Sequence, residues 1–166
     1  MFPTHLTIRP ARREDASALL AIYAPYITDS TVSFELTVPT EAEFAARIEQ
    51  ISQSYPYLVC ETDGEIAGYA YASPFAERAA YRHSADLSLY IAPSYKRRGI
   101  GRMLYNALFD ALRRQGVHMV YAVITGENEN SLLMHAALGF SEVGHIHQAG
   151  YKFNRWLDVI WMEKML

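Results

Sequence analysis

Lys96, Arg97, Arg98, Gly99 and Gly101 make a basic glycine turn, Lys96-x-x-Gly99-x-Gly101, and the chemistry available to such a turn is phosphate binding. The two glycines remove side chains where the first free backbone N–H groups of a helix point outward. Those donors lie at the positive end of the helix dipole, which favours an anion. The three cations add charge beside them. The turn has no Gly-Lys-Ser/Thr, so it is not a nucleoside triphosphate loop. It also lacks the third glycine and the spacing of a dinucleotide fingerprint. The plain alternative is an ordinary glycine-rich helix start.

A strand and a helix must hold this turn. In residues 85–91, Ala85, Leu87, Leu89 and Ile91 alternate with Asp86, Ser88 and Tyr90, a period of two that predicts a strand. Pro93 cannot donate to a ladder and ends it. From Gly99 onward, Ile100, Met103, Leu104, Ala107, Leu108, Ala111 and Leu112 repeat with helical spacing and predict one buried stripe. Gly116 closes that helix.

The chain has 166 residues, enough for one domain over residues 1–166, and is 51% apolar and 20% charged, as in a soluble globular protein. A net charge of −3 argues against a nucleic-acid partner. The single cysteine, Cys60, leaves no intrachain disulfide and no cysteine-based metal site. No apolar run is long enough to span a membrane and no signal peptide is evident, so a cytoplasmic location is the default expectation.

Elsewhere, residues 6–9 read as a short strand. Ala16, Leu19, Leu20 and Tyr23 predict a helix that Pro25 ends or kinks. Residues 26–39 lack a helical period. Thr40 and Glu43 are spaced as a capping box for a second helix with Phe44, Ile48 and Ile51 inside. Asp63-Gly64 predicts a hairpin turn between strands at 57–61 and 65–73, with Gly68 at a close packing point. The apolar run 119–124 predicts a central strand covered on both faces. A short helix over 130–138 ends at Gly139. Two last strands, 143–149 and 157–165, are joined by residues 150–156. The order β-α-α-β-β-β-α-β-α-β-β describes an α/β mixed sheet.

The glycine turn closely resembles the Gln/Arg-x-x-Gly-x-Gly/Ala signature of the GNAT N-acetyltransferase superfamily, with Lys96 in the first position. The element order matches that fold over nearly the whole chain. Asn128-x-x-Ser131-x-x-Met134-His135-x-x-x-Gly139-Phe140 resembles the superfamily's later signature, with His135 in place of its tyrosine. The runs 30–34, 80–86, 134–140 and 149–158 are similar to the phosphinothricin and methionine-sulfoximine acetyltransferases. The resemblance implies the GNAT fold, a mixed and mostly antiparallel central sheet flanked by helices. It also implies acetyl-CoA as co-substrate, no metal, a small amino-acid-like amine as acceptor and a homodimer.

Residue by residue, the resemblance assigns the coenzyme to Leu89, Tyr90, Ile91, Lys96, Arg97, Arg98, Gly99, Ile100, Gly101, Arg102, Asn128 and Ser131. A protonated amine must lose a proton before it attacks a thioester. Asp86, where the subfamily often has glutamate, is a candidate base, directly or through water. The alternative is a carboxylate paired with Arg78, Arg82 or His83. His135 is a candidate base, or an acid for the departing thiolate; the alternative is a helix histidine bonded to backbone. A backbone N–H near Tyr90 or Ile91 would hold the oxyanion. For the substrate, Arg78 and then Arg82 are expected to meet a carboxylate. Phe34, Glu35 and Tyr81 are pocket candidates, with core packing as the alternative for the two aromatics. Tyr151, Trp156 and Trp161 are read as core or interface.

Overall fold

The computed structural model of the protein describes residues 6–166. Segments rich in β-branched and aromatic residues form β1 (Leu6–Pro10), β2 (Tyr57–Thr62), β3 (Glu65–Pro74), β4 (Ser84–Ile91), β5 (Met119–Thr125), β6 (Ser141–Lys152) and β7 (Arg155–Met165). They make one sheet in the order β1-β2-β3-β4-β5-β7-β6. Every neighbouring pair is antiparallel except β4 and β5. The helices are α1 (Ala16–Thr28), α2 (Glu41–Ser52), α3 (Ile100–Arg114) and α4 (Glu129–Ala137). The element order and the mixed, mostly antiparallel sheet agree with the sequence reading.

Each face of the sheet has its own core. Leu19, Ile22 and Ile27 of α1 and Phe44 and Ile48 of α2 pack on Tyr57, Val59 and Tyr69. On the other face, Ile100, Leu104, Leu108 and Leu112 of α3 pack on Ala70, Ala72, Ala85 and Leu87, with Leu132 and Met134 of α4 beside them. The alternation in β4 therefore has a direct consequence. Ala85, Leu87, Leu89 and Ile91 face α3, and Asp86, Ser88 and Tyr90 face the side of α1.

Local signals account for most element ends. Thr40 Oγ1 accepts from the Glu43 N–H at 3.2 Å and the Glu43 carboxylate accepts from the Thr40 N–H at 2.7 Å, which completes the capping box. Gly99 caps α3 with φ +79°, a left-handed conformation that a side chain would strain. Asp63 and Gly64 both take positive φ in the β2–β3 turn.

Four expectations need correction. Pro25 does not end α1, which runs on to Thr28; the last turn is held by burial of Ile27 and by the Asp29 N–H on the Pro25 carbonyl at 2.9 Å. Residues 150–156 are not a connection. β6 and β7 run almost to the tip, where Phe153 and Asn154 both take positive φ and make a two-residue turn. The buried face of α3 is rotated from the expected stripe: Tyr105 and Phe109 are inside and Met103 is 40% exposed, because the aromatic rings bury more apolar area than Ala107 and Ala111. β5 is not covered throughout; Val123 is 47% exposed where β4 turns away from it.

Gly68 tests the packing that fixes β4. A Cβ there would lie 2.8 Å from the Tyr90 carbonyl oxygen and 2.5 Å from Ile91 Cδ1. Gly68→Ala is expected to lower stability by about 1–3 kcal/mol, measured as a shifted urea midpoint at unchanged slope. An unchanged midpoint would show that β4 can move aside freely.

Candidate active site

The site begins with a fork in the sheet. β4 pairs with β3 from Ile91 to Ala85, and β5 pairs with β7 along its whole length. Between β4 and β5 the pairing covers only Ser84–Met119, Ala85–Val120 and Asp86–Tyr121. Beyond Asp86 the two strands separate. A throat of about 80 Å³ opens between them, lined by Leu87, Leu89 and Tyr90 on one side and Ala122, Val123 and Thr125 on the other.

On the α3 side the throat leads into a cavity of about 490 Å³. Its wall includes Leu89, Ile91, Lys96, Arg97, Gly99, Ile100, Gly101, Arg102, Asn128 and Ser131, so the structure gathers ten of the twelve expected coenzyme residues there. A Cβ on Gly101 would meet Leu89 Cδ2 at 3.1 Å and Met134 Sδ at 3.3 Å, so glycine lets α3 start close against β4 and α4. The Asn128 side chain caps α4 by accepting from the Ser131 N–H. Arg98 is off this wall, its guanidinium over the Tyr95 ring at 5.2 Å. Tyr90 lies across the throat, its ring packed on Tyr23, Tyr26 and Tyr69.

On the other side of the sheet a groove of about 410 Å³ is lined by Tyr23, Val32, Ser33, Phe34, Glu35, Tyr90, Val123 and Thr125. Val32 belongs to all three spaces. The loop that carries it is pinned by four bonds. Thr125 Oγ1 donates to the Thr31 carbonyl at 2.6 Å, Thr31 Oγ1 donates to Glu127 at 2.5 Å, Lys152 Nζ donates to the Ser33 carbonyl at 2.6 Å, and Tyr23 Oη bonds Ser33 Oγ at 2.7 Å. Lys152 is buried, and burial lowers its pKa. Glu35 accepts two bonds from Arg47 and one from Tyr23. The Arg47 contacts hold its carboxyl below the usual range, so Glu35 is a charged wall of the groove.

Asp86 is on the same face as this groove, at the base of the fork. Its Oδ1 is buried and has no hydrogen-bond partner, and no ion pair is formed with Arg78, Arg82 or His83. Burial pushes its pKa up to about 6, against an opposing backbone hydrogen bond from Leu87. This is the state of a carboxylate able to take a proton near neutral pH.

His135 is 3% exposed and both ring nitrogens are engaged. Nδ1 lies 2.8 Å from the Ser131 carbonyl, which can only accept, so Nδ1 carries the proton. Nε2 then accepts from Tyr105 Oη at 3.1 Å. Burial lowers the His135 pKa, so the ring is held neutral. His135 and Tyr105 both line the throat, the ring bonded on one side to the Ser131 carbonyl and on the other to the Tyr105 hydroxyl.

The arginines are not brought into the groove. Arg78 and Arg82 are exposed on the β3–β4 connection, and Arg82 Nε donates to His83 Nε2 at 3.0 Å. Tyr81, half-exposed, packs edge-on against Phe75, which lies on Tyr121 beside Asp86. Phe34 is also half-exposed, seated on Gly150 so closely that a Cβ there would overlap its ring at 2.2 Å. Neither aromatic is core. Tyr151 and Trp156 are exposed partners across the hairpin tip. Sequence reading missed Tyr23, Arg47, Tyr105 and Lys152. The aromatic residues at Tyr105 and Phe109, four apart on one helix face, were the available signal for Tyr105; nothing local distinguishes Arg47 or Lys152.

Residues 8–161 match the family model described as an acetyltransferase (GNAT) domain. The phosphinothricin N-acetyltransferase of Streptomyces viridochromogenes is 38% identical over 152 residues, covering 92% of this chain and 83% of that protein. The L-methionine sulfoximine/L-methionine sulfone acetyltransferase of Salmonella typhimurium is 33% identical, covering 97% and 95%. A phosphinothricin acetyltransferase from Sinorhizobium meliloti, solved in complex with AcCoA, superposes with a TM-score of 0.93 at 36% identity, covering 97% of this chain and 88% of that one.

The Asp86 shift has a defined sign. Its folded pKa lies above its unfolded value, so charging it costs stability. The cost is absent well below pH 4, where both states are protonated, and is complete above about pH 6. Asp86→Asn is expected to raise Tm by a few degrees at pH 8 and to lose most of that gain at pH 3.5, read by thermal unfolding at both pH values. A variant equally or less stable at pH 8 would show that the buried carboxylate is compensated.

Proposed function

The chain belongs to the GNAT acetyltransferase family, and from that membership we propose that it transfers acetyl from acetyl-CoA to the amino group of a small amino-acid-like substrate of the phosphinothricin or methionine sulfoximine type. The observation that carries this reading is the throat through the sheet, with a large cavity behind the glycine turn on one side and, on the other, a groove on the face of β4 that carries Tyr90 and Asp86. Acetyl-CoA supplies the thioester. Gly99, Gly101 and the α3 N-terminus would hold its pyrophosphate, with Lys96, Arg97 and Arg102 around it. Leu89 to Ile91 and Asn128 would flank the pantetheine arm.

Asp86 takes a proton from the substrate ammonium, through a water because aspartate is short. The freed nitrogen attacks the thioester carbonyl carbon, and a backbone N–H near Tyr90 or Ile91 holds the oxyanion. The C–S bond then breaks, the amide forms and the thiolate leaves with a proton that the new ammonium sheds. His135 holds the Tyr105 hydroxyl on the throat wall and is a positioning residue in this scheme. Cys60 is buried in β2 and lines neither the throat nor the cavity, which supports direct transfer without an acetyl-enzyme. Phe34 and Glu35 line the groove that would take the substrate, and Arg78, Tyr81 and Arg82 stand outside it on the β3–β4 connection. The pinned loop at Thr31–Ser33 favours a small acceptor over a peptide. The exposed aromatic tip at Tyr151, Phe153 and Trp156 suits a homodimer, and the protein is placed in the cytoplasm.

Thiol release from acetyl-CoA is the test, with phosphinothricin, methionine sulfoximine, methionine sulfone and short peptides as acceptors. The expected result is saturable turnover on the small substrates and none on peptides. Asp86→Asn is expected to lower kcat/KM by about 10²–10⁴-fold. Turnover on peptides alone would move the enzyme to the protein-acetylating class, and full activity of Asp86→Asn would remove Asp86 as the base.

A further inference from the structure

The outer hairpin carries a cluster that acetyl transfer does not use. His145 and His147 stand two apart on β6 and so share a face, and Asp158 lies across from them on β7. His145 Nε2 is 2.7 Å from Asp158 Oδ2, and His147 Nδ1 is 3.3 Å from the same oxygen. The two rings are 4.3 Å apart, and all three donor atoms lie within 4.8 Å of one another. Two imidazoles thus converge on one carboxylate oxygen.

The backbone is arranged to produce this convergence. β6 is irregular between Ile146 and Gly150, and Gln148 takes φ +52°, which a side chain disfavours. That geometry turns the Gln148 N–H onto Asp158 Oδ1 at 2.8 Å, which fixes the carboxylate plane and leaves Oδ2 for the histidines. Polar groups that fix a ligand in this way are what a metal site requires of its surroundings.

We propose that His145, His147 and Asp158 form a binding site for a divalent transition-metal ion of the zinc type. Two imidazole nitrogens and a carboxylate oxygen are the donors such borderline ions take. Bonds of about 2.0–2.1 Å in tetrahedral geometry hold donor atoms about 3.3 Å apart. The His147–Asp158 pair already has that spacing, and the His145–Asp158 pair needs to open by a fraction of an ångström. His145 and Asp158 also border an open groove with Thr125, Gly126, Arg155 and Trp156, which leaves a coordination position to solvent or a small ligand. The ion would clamp the irregular part of β6 to β7, close to where the Gly126 N–H bonds the Asp158 carbonyl.

The test is titration of the tag-free native protein with Co²⁺, followed by its visible absorption, and with Zn²⁺ by calorimetry. One saturable equivalent per chain is expected, with a Tm that rises by several degrees at about 100-fold excess over Kd. His145→Ala and His147→Ala should each weaken binding at least tenfold and the double variant should abolish it, while circular dichroism and acetyl transfer remain as in the parent. Absence of saturable binding by the parent protein would overturn the proposal. So would a double variant that binds as tightly as the parent.

Discussion

The structure depends on one constraint of hydrogen bonding. Each strand has two edges, and β4 and β5 each spend one edge fully on another partner. β3 holds seven residues of β4, and β7 holds all seven of β5. Only three residue pairs join β4 to β5 themselves. Backbone N–H and C=O groups beyond Asp86 therefore face an opening, and buried backbone groups do not stay unpaired without cost. Tyr26 Oη covers one of them by donating to the Ile91 carbonyl at 2.7 Å. The others are available to a ligand with amide groups of its own, as the pantetheine arm has. Strand separation, which would be a defect in a purely structural sheet, opens the throat between β4 and β5.

The rest of the molecule holds that opening in shape. On the α1 side, Tyr23, Tyr26, Tyr69 and Tyr90 pack as a cluster of rings at centroid spacings of 4.7 to 5.3 Å. The side chain of Tyr90 therefore cannot swing into the throat without breaking several aromatic contacts. On the α3 side, Tyr105 and His135 form a neutral pair packed against Phe140. Across the mouth, the segment with Val32 is tied to β5 through Thr125 and to β6 through the buried ammonium of Lys152. These ties come from residues 94 and 119 positions away in the chain. They order a loop that has no secondary structure of its own.

This division explains what was legible in the amino-acid sequence. The period of two in residues 85–91, the helical stripe after Gly99, the Thr40 capping box and the Asp63-Gly64 turn are local signals, and each has its element in the structure. The cavity wall behind the glycine turn was legible because it follows one continuous strand-turn-helix segment and the start of α4. The groove on the α1 side was not, because it joins α1, α2, β4, β5 and the 29–40 loop through long-range bonds. Arg47 on Glu35 and Lys152 on Ser33 are such bonds, and no spacing announces them. The hairpin connection was misplaced for another reason. Phe153 and Asn154 adopt positive φ without glycine, so the usual turn letters are missing. Pro25 misled because a proline removes one helix bond without preventing a last turn held by burial.

Acetyl-CoA bound as proposed would complete the unpaired edge of β4 at the fork with its pantetheine arm. Backbone hydrogen exchange, with and without acetyl-CoA, tests it most directly. Added protection is expected in the peptides covering Leu89–Ile91, Arg97–Gly101 and Asn128–Ser131, with little change in β1, β2 and β7. Tight acetyl-CoA binding that leaves Leu89–Ile91 unprotected would contradict it.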